Sequence, residues 1–204
     1  MKKLILLAGI IMLLSIVYSE EVKRITPKPN DSVFYVYKDA GSRLNHFIPA
    51  GWMGDFGDLK MNTRYYNNEK KEDTCIKIIY SAAKTNQEGW AGIYWQMPAN
   101  NWGDKRGGYD LSGYSKLVFK VRGSVGKEYI DKFLVGGITG KTEDGDSDEV
   151  YTDAVELTTE WKEITLDLKG RDMSHIIGGF GFAINSDYNE KGASFYIDEI
   201  RFEK

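Results

Sequence analysis

From residue 32 to residue 202 the chain falls into about ten short runs in which apolar and polar residues alternate, punctuated by Gly, Asn, Asp and Pro. Nowhere does apolar spacing at three and four residues persist long enough to build a helix. Successive side chains of a strand point to opposite sides, so each run has one face to bury. Stacking two sheets face to face buries all of those faces at once. The pattern therefore predicts an all-β fold, an antiparallel β-sandwich or jelly roll.

The predicted strands cover residues 32–38, 59–66, 74–81, 90–97, 116–122, 129–135, 150–157, 162–168, 178–185 and 194–202. Residues 44–58, with Pro49 and three glycines, read as an aromatic loop; residues 67–73 read as a charged turn and 138–149 as a polar loop. Alternation sends Leu117, Phe119 and Val121 inward, together with Ile164, Leu166 and Leu168, and Phe180, Phe182 and Ile184. Both faces of 90–97 are aromatic; Ile93 places Trp95 inside. That leaves Trp90, Tyr94 and Gln96 outside, beside Lys120, Arg122 and Asn185. Two Asp-Leu-x-Gly segments, at Asp110 and Asp167, read as the same turn chemistry used twice.

The N-terminus carries Lys2 and Lys3, an apolar run to Val17 and a small residue at Ser19, which predicts an export signal over 1–19 removed after Ser19. An uncleaved anchor competes, but the run is shorter than the ~20 residues of a spanning helix. Residues 20–30, with Pro27 and Pro29, read as a linker, and 31–204 as one domain. With 30 acidic against 27 basic residues and no basic cluster, the chain has nothing to hold a nucleic-acid backbone. Cys75 is the only cysteine, so no internal disulfide forms, and its alternating context suits a small buried hydrophobe.

An ordered series carries a family likeness: Gly89-Trp90-Ala91-Gly92-Ile93-Tyr94-Trp95, Asn100-Asn101-Trp102-Gly103, Tyr109-Asp110-Leu111-Ser112-Gly113-Tyr114, Gly178-Gly179-Phe180-Gly181 and the closing Phe195-Tyr196-Ile197-Asp198-Glu199-Ile200. It resembles the galactose-binding-like jelly rolls of bacterial carbohydrate-binding modules, over about residues 31–204. The resemblance implies a structural calcium between the start of the first strand and the last strand. Asp198 and Asp39 stand at the ligand positions, and Asn45 adds a side-chain oxygen.

Aromatic faces stack on the C–H faces of sugar rings, and amide or cationic side chains read the hydroxyls. The candidates for this are Trp52, Trp90, Tyr94, Trp102 and Tyr109, with Lys120, Arg122 and Asn185 as polar partners. Asp144, Asp146 and Asp148 begin like an EF-hand loop but lack its sixth-position Gly and its final Glu, so they read as a solvated loop. Asp55 and Asp58 read as turn residues. His46 and His175 form no constellation with a nucleophile, and no assembled pair of carboxylates stands out. The reading is an exported, periplasmic or extracellular protein that binds polysaccharide without catalysis. Its alternatives are an envelope interaction sandwich with no sugar site and a small glycan hydrolase. Nothing in the sequence speaks to oligomeric state.

Overall fold

A computed structural model describes residues 25–27, 31–66, 73–139 and 144–204. The predicted export signal, most of the linker and nearly all of the charged turn lie outside these residues.

The described residues form thirteen strands. A six-stranded antiparallel sheet takes β1 (Val33–Tyr37), β3 (Leu59–Tyr66), β4 (Thr74–Tyr80), β6 (Lys116–Gly123), β11 (Lys162–Asp167) and β13 (Ala193–Glu203), in the order β11-β6-β13-β4-β3 with β1 also on β13. The second sheet takes β2 (Ile48–Gly54), β5 (Trp90–Gln96), β8 (Lys132–Gly136), β9 (Glu149–Tyr151) and β12 (Gly178–Asn185), in the order β2-β5-β12-β8-β9. A small ribbon pairs β7 (Tyr129–Ile130) with β10 (Val155–Glu156). The all-β sandwich is as predicted.

The core lies where alternation put it. Leu117, Phe119 and Val121 face Phe180, Phe182 and Ile184, all fully buried, with Ala91, Ile93 and Trp95 beside them. Aromatic edges meet faces across the layer: Trp95 and Phe119 lie 5.4 and 5.0 Å from Phe180, and Phe182 lies 5.2 Å from Phe195. Cys75 is buried as expected, and burial pushes its thiol up to about 12, out of reach of ordinary chemistry. Asp110 and Asp167 each accept the N–H two residues on, one turn chemistry at both sites.

Three predicted boundaries shift. Residues 48–54, read as loop, are the edge strand β2. Pro49 is tolerated there because an edge strand leaves one side of its ladder unpaired. The run 129–135 breaks at Asp131, since Ile130 and Phe133 are both core residues and an odd spacing cannot keep both on one face of a regular strand. The run 150–157 splits in the same way into β9 and β10. In β13 the core residues Ile197 and Ile200 are also three apart. A bulge between Asp198 and Arg201 absorbs the extra residue and puts Glu199 at φ +48°.

Candidate functional site

The outer face of the second sheet is a grid set by strand register. One rung joins Trp90 on β5 to Asn185 on β12. The next runs Met53–Gly92–Ala183–Lys132, and the third Gly51–Tyr94–Gly181–Leu134–Tyr151. A last rung pairs Ile48, Gln96 and Gly178. Small residues at Gly51, Gly92, Gly181 and Ala183 keep the floor low. The Tyr94 ring uses that room: a Cβ at Gly181 would come within 2.9 Å of it.

Two loops rise over the third and fourth rungs. The first carries Trp102 and is fastened from below. Gln96 Nε2 donates to Asn101 O, Asn101 Oδ1 accepts the N–H groups of Gly103 and Lys105, and Asn101 Nδ2 donates to Lys105 O. Trp102 stands edge-on to Tyr94 at 6.2 Å and remains 41% exposed. At the other end of β5 Trp90 is 36% exposed, and on the edge strand Tyr151 is 60% exposed. Trp90 and Tyr94, the residue Trp102 stands on, are four residues apart along β5, so the two tryptophans are separated by about 13 Å of strand.

The second loop, of which residues 136–139 and 144–148 are described, packs Ile138 with Tyr94, Leu134 and Ile177, and Tyr94 donates its hydroxyl to Gly136 O. Asp146 anchors this loop by accepting the N–H groups of Ile138, Ile177 and Gly178. This corrects the solvated-loop reading: Asp146 is a tie, and Asp148 likewise accepts from Asp172 and pairs with Arg171. Burial outweighs the three N–H groups and pushes the Asp146 carboxyl up to about 6. The folded state therefore holds a proton more tightly than the unfolded chain. Stability from this group is full below the usual carboxylate range and fades as pH rises through about 6. Asp146→Asn should remove that slope, changing the wild-type-to-variant difference by about 3 kcal/mol between acid and neutral pH. Urea melts at a series of pH values check this; parallel curves for the two proteins would refute it.

The predicted ligand residues do not gather in one place. Trp90, Tyr94, Trp102 and Asn185 share the outer face of the second sheet. Lys120 and Arg122 stand on β6, on the opposite outer face of the sandwich, with Lys120 ion-paired to Glu199 at 2.8 Å. Tyr109 is a core residue, 7% exposed, between Phe34 and Phe47. Trp52 packs against the core as a partly buried edge residue. Tyr94, 6% exposed, supports Trp102 from beneath and presents no free ring face. Asn185 donates to Asp131 Oδ1 at 2.6 Å, and its own Oδ1 accepts from Asp187 and Tyr188. Sequence reasoning missed Asp131, Lys132 and Tyr151. Tyr151 was legible, since alternation against the core-facing Val150 turns it outward.

Both histidines serve the fold. His46 stacks on Phe34 at 3.9 Å and bonds Tyr35 O through Nδ1, while His175 Nε2 bonds Gly107 O. Asp55 and Asp58 are turn residues, as read. Asp55 precedes a short 3-10 turn that Asp58 ends, and Asp55 accepts the N–H groups of Asn86, Glu88 and Gly89.

At the junction of β1 and β13, Asp198 is 4% exposed. Burial first, then the acidic neighbours Glu199, Asp73 and Asp39, push its carboxyl up to about 7, although the Glu199 N–H opposes the shift. Asp39 Oδ1 accepts from Thr74. A buried carboxylate facing other acids suits a hard cation. Asn45 does not fit that role: its oxygen accepts the Lys38 N–H and its amide donates to Asp39 O, so it staples the turn. Among the described residues no three acidic, His or Cys side chains converge at metal-binding distance.

The same fold occurs in solved carbohydrate-binding modules. A family 30 module aligns at a TM-score of 0.56 and 15% identity, over 84% of this chain and 98% of that one. The family 30 module of a Clostridium thermocellum cellulosomal cellulase aligns at 0.54 and 15%, over 84% and 97%. A Clostridium thermocellum family 11 module, in complex with a β-1,3-1,4-mixed-linked tetrasaccharide, aligns at 0.51 and 15%, over 75% and 87%. No protein-family model matches the chain, and no curated protein matches it. What the chain shares with these modules is the fold, an antiparallel β-sandwich.

Proposed function

We propose that this chain is a non-catalytic carbohydrate-binding module that lays an extended polysaccharide along β5, across the outer face of the second sheet. The carrying observation is the pair of exposed tryptophans, Trp90 and Trp102, bracketing a low floor on one face of a jelly roll. Rings at the two ends stack on separate pyranoses, and the Asp131–Asn185 pair and Lys132 read hydroxyls between them. The length, about 13 Å of strand, suits a short run of sugars rather than a monosaccharide. Because the family 11 module of the same fold is in complex with a mixed-linkage tetrasaccharide, mixed-linkage β-glucan is the first ligand to test. Affinity electrophoresis in gels containing this and other neutral glucans checks the reading: retardation supports it, and free migration in every gel overturns it.

The protein is exported in this reading, and a calcium ion at Asp198 and Asp39 ties β13 to the β1 turn. Support comes from the buried, acid-surrounded carboxylate of Asp198. Calcium should raise the melting temperature by a few degrees and EDTA should reverse it, with Asp198→Asn insensitive to both. An unchanged melt, with no metal by mass spectrometry, would remove calcium from the proposal.

A further inference from the structure

The outer face of the first sheet carries a second ordered row. Trp161, just ahead of β11, is followed across the strands by Arg122 on β6, Tyr196 on β13, Lys77 on β4 and Tyr65 on β3. Register aligns them: Tyr196 pairs with Arg122 on one side and Lys77 on the other. Rings and cations alternate. The Arg122 guanidinium lies 3.9 Å from the Tyr196 ring and 5.1 Å from Trp161. Lys77 Nζ lies 4.8 Å from Tyr65 and 5.6 Å from Tyr196. The row spans four strand intervals, about 19 Å.

Its charge pattern differs from the rest of the same face. Toward the other end of the face the cations have acids: Lys116 pairs with Glu203, Lys120 with Glu199, and Arg201 with Glu163, Glu199 and Glu203. Among the described residues neither Arg122 nor Lys77 pairs with a carboxylate. The one hydrogen bond of the Arg122 side chain there is a 3.4 Å contact from Nη1 to Gly123 O. The cation–π contacts hold both cations against the sheet. They engage the cations without using their N–H donors, which have no carboxylate acceptor among the described residues. The two charges also act on Tyr196: burial alone would raise its phenol, but hydrogen bonds from Ser124 and Tyr65, with Lys77 and Arg122, bring it below the usual range. Two cations with no acid partner among the described residues, held between the buried Tyr196 and the half-buried Trp161 and Tyr65 on a chain that is acidic as a whole, form a local receptor for negative charge attached to a ring.

We propose that this row is a second ligand site, on the opposite side of the sandwich from Trp90 and Trp102, and that it takes the uronate residues of an acidic polysaccharide. Arg122 and Lys77 hold the carboxylate, and Trp161 and Tyr65 offer ring faces on either side.

Titration calorimetry with an oligogalacturonate of defined length tests this, alongside its carboxyl-reduced neutral form and poly-glutamate. Wild-type protein should bind the oligogalacturonate, more weakly as salt rises, and Trp102→Ala should bind it equally. Lys77→Gln/Arg122→Gln should bind at least about tenfold more weakly. Trp161→Ala, which keeps both charges and alters only an edge of the sheet, should also weaken binding. No binding by the wild type, undiminished binding by both variants, or loss through Trp102→Ala would overturn the proposal. Equal binding of poly-glutamate or of the neutral form would overturn its assignment to a uronate.

Discussion

Trp102→Ala should weaken polysaccharide binding by about 10- to 100-fold while leaving the protein folded. The indole is exposed, so its loss removes little buried area and surface changes of this kind rarely exceed about 0.5 kcal/mol in stability. The loop keeps its shape because its fastenings do not involve the indole: Gln96 to Asn101 O, Asn101 to Gly103 and Lys105, and the Trp102 N–H to Asp104. What disappears is a flat apolar face already held in place by the Tyr94 edge, and a ligand meeting that face does not have to order it. Trp90→Ala should act in the same direction from the other end of β5. Affinity electrophoresis and calorimetry with a retained glucan, together with a thermal melt, measure both effects. Unchanged retardation of the Trp102→Ala protein would mean that the sugar, if bound, lies elsewhere.

The sequence made the layers legible but not the sides. Alternation identified Leu117, Phe119, Val121, Phe180, Phe182 and Ile184 as core because burial on one face is what period two encodes. It also turned Trp90, Lys120 and Arg122 outward, correctly. It could not say that β5 and β6 belong to different sheets, a matter of long-range pairing, so outward meant opposite sides of the sandwich. Tyr94 is outward too, yet covered, because Trp102 of the loop at 98–108 and residues 136–138 fold back over its half of the face. Strand logic has no view of such loops. The Asp146 tie was hidden for the same reason, since its three N–H partners are scattered over residues 138–178. The row from Trp161 to Tyr65 comes from four strands and the segment ahead of β11, drawn from residues 65 to 196 of the chain, and only register brings it together.

Phe180→Ala should be the most damaging single change to stability, costing about 3–5 kcal/mol. The ring is fully buried at the point where both sheets meet, 5.0 Å from Phe119, 5.4 Å from Trp95 and 6.0 Å from Phe133. Truncation forfeits its transfer energy and leaves a void that three large rings anchored on three strands cannot close. Against a total of about 5–15 kcal/mol for a domain, that is a large share. Urea unfolding should show a much lower midpoint with an unchanged slope, and a loss under about 1 kcal/mol would mean that the core repacks. Binding should respond differently. Phe180 faces inward from β12, whereas Trp90, Asn185 and the Trp102 loop stand on the other side of the same sheet. Below its lowered melting point the variant should retain glucan affinity within a few-fold. Trp102→Ala should do the reverse, because the core sets whether the sheet exists and the exposed rings set what it holds.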